Sequence, residues 1–162
     1  CSSTAFERFL KSEEEKKQTL LSRQEGPNPY TLHDKLADIM VADVSVKRNN
    51  EDLKKALEKL KDLREQSRNI SVLDRTPFAN QSYAFGARLT PMIDLAIIIA
   101  KGALLRDEFR GAHYKPEFPD RDDENWLKET VAEYDPQSDE PKISYNPIDL
   151  RQQHPFLPPL TL

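Results

Sequence analysis

Apolar positions along the chain gather into four blocks, and three of them recur at helical spacing. The first predicts a helix from about Ser3 to Ser22, with Phe6, Phe9 and Leu10 on one face. Leu20 and Leu21 return to that face after a wholly polar middle, 11–18. Gly26-Pro27-Asn28-Pro29 then breaks the pattern. Thr31 is the expected cap of a second helix, where Leu32, Leu36, Ile39 and Met40 form one stripe. A third opens near Asn49-Asn50, with Glu51 and Asp52 favourable at its positive end. Its apolar set is Leu53, Ala56, Leu57, Leu60, Leu63 and Ile70. Lys54, Lys55, Glu58, Lys61 and Asp62 lie opposite, and such mixed charge reads as a solvated face.

The fourth block is apolar nearly all round from Met92 to Leu105, the mark of a helix buried on most sides. Tyr83, Ala84, Ala87 and Leu89 look like packing residues. One long helix from about Gln81, kinked at Pro91, is therefore expected rather than a start at Thr90-Pro91. Half of the 12 prolines lie between Pro136 and Pro159, where neither helical nor strand periodicity is sustained. The expected fold is mainly α. Residues 1–107 form an antiparallel three-helix bundle with a long fourth helix, and 108–162 continue the domain as an aperiodic segment and extended proline-rich tail.

Composition narrows the functional classes. A net charge of −4, with basic and acidic residues interleaved, gives no attraction for phosphate backbones, so nucleic acid is not an expected partner. The single cysteine, Cys1, forms no internal disulfide and fits a reducing compartment. Cys1-Ser2-Ser3 also resembles the mature end of a bacterial lipoprotein, which keeps a free-standing helical interaction module as the alternative reading. The longest apolar run, Leu95 to Ala100, falls far short of the ~20 residues of a membrane helix. No signal peptide is visible, and a soluble chain is expected.

The sequence carries none of the common catalytic motifs. Gly26, Gly86, Gly102 and Gly111 are too dispersed for a dinucleotide fingerprint or a phosphate-binding loop. His33, His113 and His154 share no helical turn with another ligand at a metal-binding spacing. The run Asp120 to Asn125 fails as a calcium loop, because Asn125 and Val131 stand where glycine and glutamate are needed. Asp122 or Asp123 is instead the expected cap of a helix beginning Glu124-Asn125-Trp126-Leu127-Lys128. The expected catalytic, cofactor-binding and metal-binding sets are empty.

One stretch has no bland explanation. From Arg106 to Asp123 charges, aromatics and prolines alternate without a period. Such a segment is shaped to lie against another surface, where Arg110, His113 and Arg121 make directed hydrogen bonds or ion pairs. Gly111 is expected at the turn that ends the buried helix.

The run Lys101-Gly102-Ala103-Leu104-Leu105-Arg106-Asp107-Glu108-Phe109-Arg110-Gly111-Ala112-His113, then Glu117-Phe118-Pro119-x-Arg121-Asp122-Asp123-x-Asn125-Trp126-Leu127, resembles the C-terminal signature of succinate dehydrogenase and fumarate reductase flavoprotein subunits. L-aspartate oxidases share a weaker version, and Pro141 to Pro147 resembles the tail of the dehydrogenase subunit. The family usually carries serine where Phe109 stands and commonly arginine at Lys115. The resemblance implies a parent that binds FAD covalently and oxidises succinate to fumarate by hydride transfer to the flavin. Electrons would then pass to an iron-sulfur subunit and to membrane quinone, as in the tricarboxylic acid cycle. The FAD-binding and capping domains would lie upstream, and no position here matches their catalytic groups. Glu108, Arg110, Gly111, His113, Arg121, Asp122 and Asp123 are then the expected docking residues against the FAD-binding domain of the same subunit. The implied place is the cytoplasmic face of the bacterial membrane, in a peripheral complex with an iron-sulfur subunit and, indirectly, a membrane anchor.

Overall fold

The computed structural model describes residues 3–135, 138 and 140–149. Cys1, the last residues of the proline-rich tail and His154 lie outside them. The chain forms α1 (Ser3–Ser22), α2 (Pro29–Ile39), α3 (Asn50–Ser67), α4 (Gln81–Leu105), the single-turn α5 (Asp123–Trp126), β1 (Lys128–Glu133) and β2 (Lys142–Pro147). The fold is mainly helical.

Asparagine side chains start the three inner helices. Asn28 accepts from the Tyr30 amide, Asn49 from that of Asp52 and Asn80 from that of Tyr83, each filling a donor the helix itself leaves open. The cap of α2 is therefore Asn28 and not Thr31, and Pro29 takes the first helical position, where its missing N–H costs nothing. The last turn of α2 widens into a π-helical turn, Met40–Val44, which buries Val44. Pro91 lies inside α4 as expected.

Contacts along α3 and α4 fix their direction. Ser67 meets Thr90 at 2.8 Å and Arg64 pairs with Asp94 at 3.6 Å, so the two helices run antiparallel. Tyr30 stacks on Phe85 while Arg48, beyond the π turn, reaches His113 after the end of α4, so α2 runs alongside α4 in the same sense. The core between them is Leu32, Leu36, Val44, Leu53, Leu60, Leu89, Ile93 and Ile97 with their alanine neighbours. Burying one such leucine contributes about 1.5–3 kcal/mol.

The trio that shares the core is thus α2, α3 and α4. Only the C-terminal end of α1 joins it, through Leu20 and Leu21, and Arg23 ties it to the carbonyls of Arg68 and Ile70 at 3.0 Å. Phe6 and Phe9 remain 65% exposed, so the stripe on α1 is not bundle core. Gly26 follows in a left-handed conformation with φ +154°, where a Cβ would meet the Asn69 carbonyl oxygen at 2.1 Å. Only glycine lets the chain cross the end of α3 there.

The tail departs from the expectation of plain extended chain. β1 and β2 pair antiparallel with Lys128 opposite Pro147 and Glu133 opposite Lys142. Glu140 anchors the connection between them, accepting from Lys101 of α4 at 2.7 Å and Lys61 of α3 at 2.7 Å. The expected helix at 124–128 is a single turn that yields to β1.

Candidate functional site

The chain leaves α4 at Arg106, whose extended backbone (φ −97°, ψ 103°) turns it back along the helix end. Phe109 donates its amide to the Asp120 carbonyl at 2.9 Å, drawing the two ends of the signature together. Between them, Arg110 and His113 exchange both backbone hydrogen bonds, at 3.0 and 2.9 Å, closing a two-residue hairpin. Gly111 takes φ +58° at its first central position, the place a type II′ turn reserves for glycine. The helix has already ended at Leu105, so Gly111 serves this hairpin and not the helix terminus.

Glu108 is wholly buried at the centre. One carboxylate oxygen accepts from Arg106 Nε at 2.8 Å and Arg110 Nε at 2.8 Å. The other accepts from Arg110 Nη2 at 2.9 Å and the Asp122 amide at 3.3 Å. Burial alone would raise the Glu108 pKa, but the bonds from Arg110, the Asp122 amide and Arg106 outweigh it and hold the group below its ordinary value. Arg110 continues to Asp123 at 2.6 Å, and Arg121 grips the same carboxylate at 2.8 and 2.7 Å. The Arg121 and Arg110 bonds likewise lower the Asp123 pKa. Asp122 caps α5 through the Asn125 amide at 3.0 Å. Arg106 spends its remaining donors on the carbonyls of Trp126 (2.6 Å) and Lys128 (3.1 Å), and its guanidinium lies over the Trp126 ring.

Two further side chains fasten this segment to the helices. Lys115, with no exposed surface, donates to the Leu104 carbonyl at 2.9 Å and to Asp107 at 2.9 Å, satisfying a last-turn acceptor of α4. Glu117 accepts from the Asn50 amide at 2.8 Å, placing a carboxylate at the positive end of α3. His113 lies half-buried between Arg48 and the Arg106 carbonyl.

The structure therefore brings Glu108, Arg110, Arg121, Asp122 and Asp123 into one network, with Gly111 and His113 on the hairpin beside it. Their hydrogen bonds close within the chain, where the sequence suggested that Arg110, His113 and Arg121 make theirs to another surface. Arg48, Arg106, Lys115 and Glu117 were not among the expected site residues. Nothing in a lone Lys115 between Tyr114 and Pro116 signals a buried ammonium, whereas Arg106 could have been found from its place at the end of the apolar run.

Among the described residues the usual phosphate-binding features of a flavin nucleotide site are not assembled. The N-termini of α2, α3 and α4 are filled by their own asparagine caps, and no close glycines build a phosphate cradle. Among the described residues no group of three or more His, Cys, Asp or Glu side chains could hold a metal ion. No helix among them is long and apolar enough to cross a membrane.

A family model described as fumarate reductase flavoprotein C-term matches residues 33–159. The succinate dehydrogenase flavoprotein subunit of Bacillus subtilis is 38% identical over 149 residues, 92% of this chain and 25% of the relative. A fumarate reductase flavoprotein subunit of Helicobacter pylori is 34% identical over 145 residues, 89% of this chain and 20% of the relative. A solved E. coli quinol fumarate reductase chain shares the fold at a TM-score of 0.85 and 24% identity, covering 99% of this chain and 27% of that one. The chain spans about a quarter of the length of the curated relatives it matches. It belongs to the family of C-terminal domains of the succinate dehydrogenase and fumarate reductase flavoprotein subunits.

Proposed function

We propose that this chain serves as the C-terminal domain of an FAD-dependent succinate dehydrogenase flavoprotein subunit, as a structural and docking part with no catalytic site of its own. In that reading residues 1–107 and 108–162 act as one domain. The parent oxidises succinate to fumarate, passes electrons from FAD to an iron-sulfur subunit and on to quinone, and sits peripherally at the cytoplasmic face of the bacterial membrane. The observation that carries the reading is the family match over residues 33–159 joined to 38% identity with a succinate dehydrogenase subunit of which the match covers 25%. The names of the relatives supply the flavin and the reaction. The wholly buried Glu108 and its two arginines support the structural part, because their hydrogen bonds tie the signature to itself.

The strip Glu108 to Asp123 then presents a preformed surface to the FAD-binding domain, with Glu108, Arg110, Asp122 and Asp123 setting its shape and Gly111 its turn. His113 flanks the turn, and Arg121 lies at the rim, its side chain 42% exposed. A pair of melts tests this. Arg121→Ala should leave the melting of this chain nearly unchanged, since one solvent-facing ion pair is worth about 0–1 kcal/mol. In the full-length subunit it should weaken docking by about 2–5 kcal/mol if Arg121 meets a buried carboxylate there. Equal, small effects in both proteins would sink the docking role of Arg121.

A further inference from the structure

Hydrogen-bond chemistry holds His113 in one protonation state. A guanidinium can only donate and a backbone carbonyl can only accept. Arg48 Nη1 lies 2.7 Å from His113 Nδ1, and the Arg106 carbonyl lies 2.8 Å from Nε2. A ring between those two groups must accept at Nδ1 and donate from Nε2, so it is the neutral Nε2–H tautomer. A second proton would occupy Nδ1, turn the acceptor into a donor, and set an imidazolium against the Arg48 guanidinium.

Among the described residues, the charges that act most on the ring are all cationic. Arg48 approaches from the loop before α3, Arg106 from the end of α4, and Lys115 from the strand leaving the hairpin. Asp107 is engaged by Lys115, and Glu108 by Arg106 and Arg110. The side toward the strands offers Thr130, Ala132 and Ile143, none of them charged, across a shallow cleft of about 290 Å³ that also reaches Arg48 and His113. Burial comes first, and the three cations add to it, in holding the ring's pKa below its usual 6.5 despite the bond to the Arg106 carbonyl.

Arg48 is more than a neighbour. Its Nε donates to the carbonyls of Val44 (2.8 Å) and Ser45 (2.9 Å), and its amide donates to the Tyr114 carbonyl at 3.0 Å. The Arg48–His113 pair thus joins the π-helical turn after α2 to the signature hairpin. We propose that His113 is an acid-sensitive clasp: neutral, it fastens the 110–113 hairpin to the Arg48 loop, and protonated, it releases Arg48 and loosens that joint. The Glu108 network is the part expected to stay closed, because bonds from arginine hold Glu108 and Asp123 below the ordinary carboxylate range. The clasp stands on this chain's own geometry and does not depend on the flavoprotein reading.

Nitrogen-15 NMR of the imidazole, with amide hydrogen exchange measured across pH, tests the clasp on the purified chain. The expected ring is the Nε2–H tautomer at neutral pH, titrating below free histidine. Protection factors at the Arg48, Arg110 and His113 amides should fall as the ring protonates, while that of Phe109, bonded to Asp120, holds. Arg48→Met should move the His113 pKa upward, by removing both a donor to Nδ1 and a like charge. His113→Gln should flatten the pH dependence of exchange at Arg48 and Arg110. An Nδ1–H tautomer, a cationic ring at neutral pH, or the same acid-dependent loosening in His113→Gln overturns the proposal. If either variant fails to fold, the tautomer and the wild-type titration still decide the matter.

Discussion

Glu108→Gln isolates the centre of the signature, because it keeps the shape of the side chain while removing its charge. The carboxylate accepts four hydrogen bonds, from Arg106 Nε, Arg110 Nε, Arg110 Nη2 and the Asp122 amide. A glutamine offers one oxygen in place of two, and its amide NH₂ would confront donors on the other side. Breaking a buried charged pair typically costs about 3–5 kcal/mol. The low end, about 3 kcal/mol, applies here, because Arg110 keeps Asp123 and Arg106 keeps two backbone carbonyls. At about 2–4 °C per kcal/mol for a chain of this size, Tm should fall by about 6–12 °C. Thermal melts and urea titration of wild type and variant measure it, with an unchanged m-value expected if both states keep their compactness. A loss below about 0.5 kcal/mol would mean that the signature is not held by Glu108, and the reasoning fails.

Leu60, wholly buried in the stripe of α3, should cost about 2–5 kcal/mol on replacement by alanine, read from the midpoint of urea unfolding. Gly26→Ala places a methyl group where 2.1 Å separates it from a backbone oxygen, so a loss well above ~1 kcal/mol is expected from the same titration. Glu140 has its pKa lowered from 4.5 to about 2, first by its bond to Lys101 and then by that to Lys61. The folded state therefore binds that proton less readily, and the stability Glu140 contributes is whole above 4.5 and lost as pH falls toward about 2. Stability measured against pH should accordingly fall less steeply in Glu140→Gln across that window, and an unchanged slope would count against the pairing.

Long, strongly patterned helices were legible in the sequence. The leucine repeat of α3 and the long α4, with Pro91 inside it, stand where periodicity puts them, because their stripes meet one another in the core. The start of α2 was misplaced because Asn28-Pro29 looks like a breaker, although asparagine followed by proline is also how a helix is capped and begun. The face of α1 had the right period and the wrong implication. Periodicity says which residues share a side, and it says nothing of whether a partner covers that side, so Phe6 and Phe9 are exposed in this chain. The strands were hidden because Lys128–Glu133 buries no regular alternation, and its partner lies beyond an eight-residue connection.

The candidate site was half legible. Its location stood out, since charges and aromatics without a period have no place in a generic bundle. Its wiring did not, because Glu108 finds Arg106 and Arg110 within two residues but meets Asp122 and, through Arg110, Asp123 only after the hairpin has folded back. Local sequence cannot tell an arginine that reaches a partner from one that turns inward. Here the donors turn inward and bond within the chain.

The central claim is that this domain shapes and docks but does not catalyse, and one measurement on the purified chain bears on it directly. The chain is incubated with FAD, freed of unbound flavin, and assayed for retained flavin absorbance and for succinate-dependent dye reduction. Neither signal is expected, because the N-termini of α2, α3 and α4 are occupied by their own asparagine caps and no glycine-rich cradle exists for the phosphates. Stoichiometric flavin on the chain, with dye reduced when succinate is added, would contradict it.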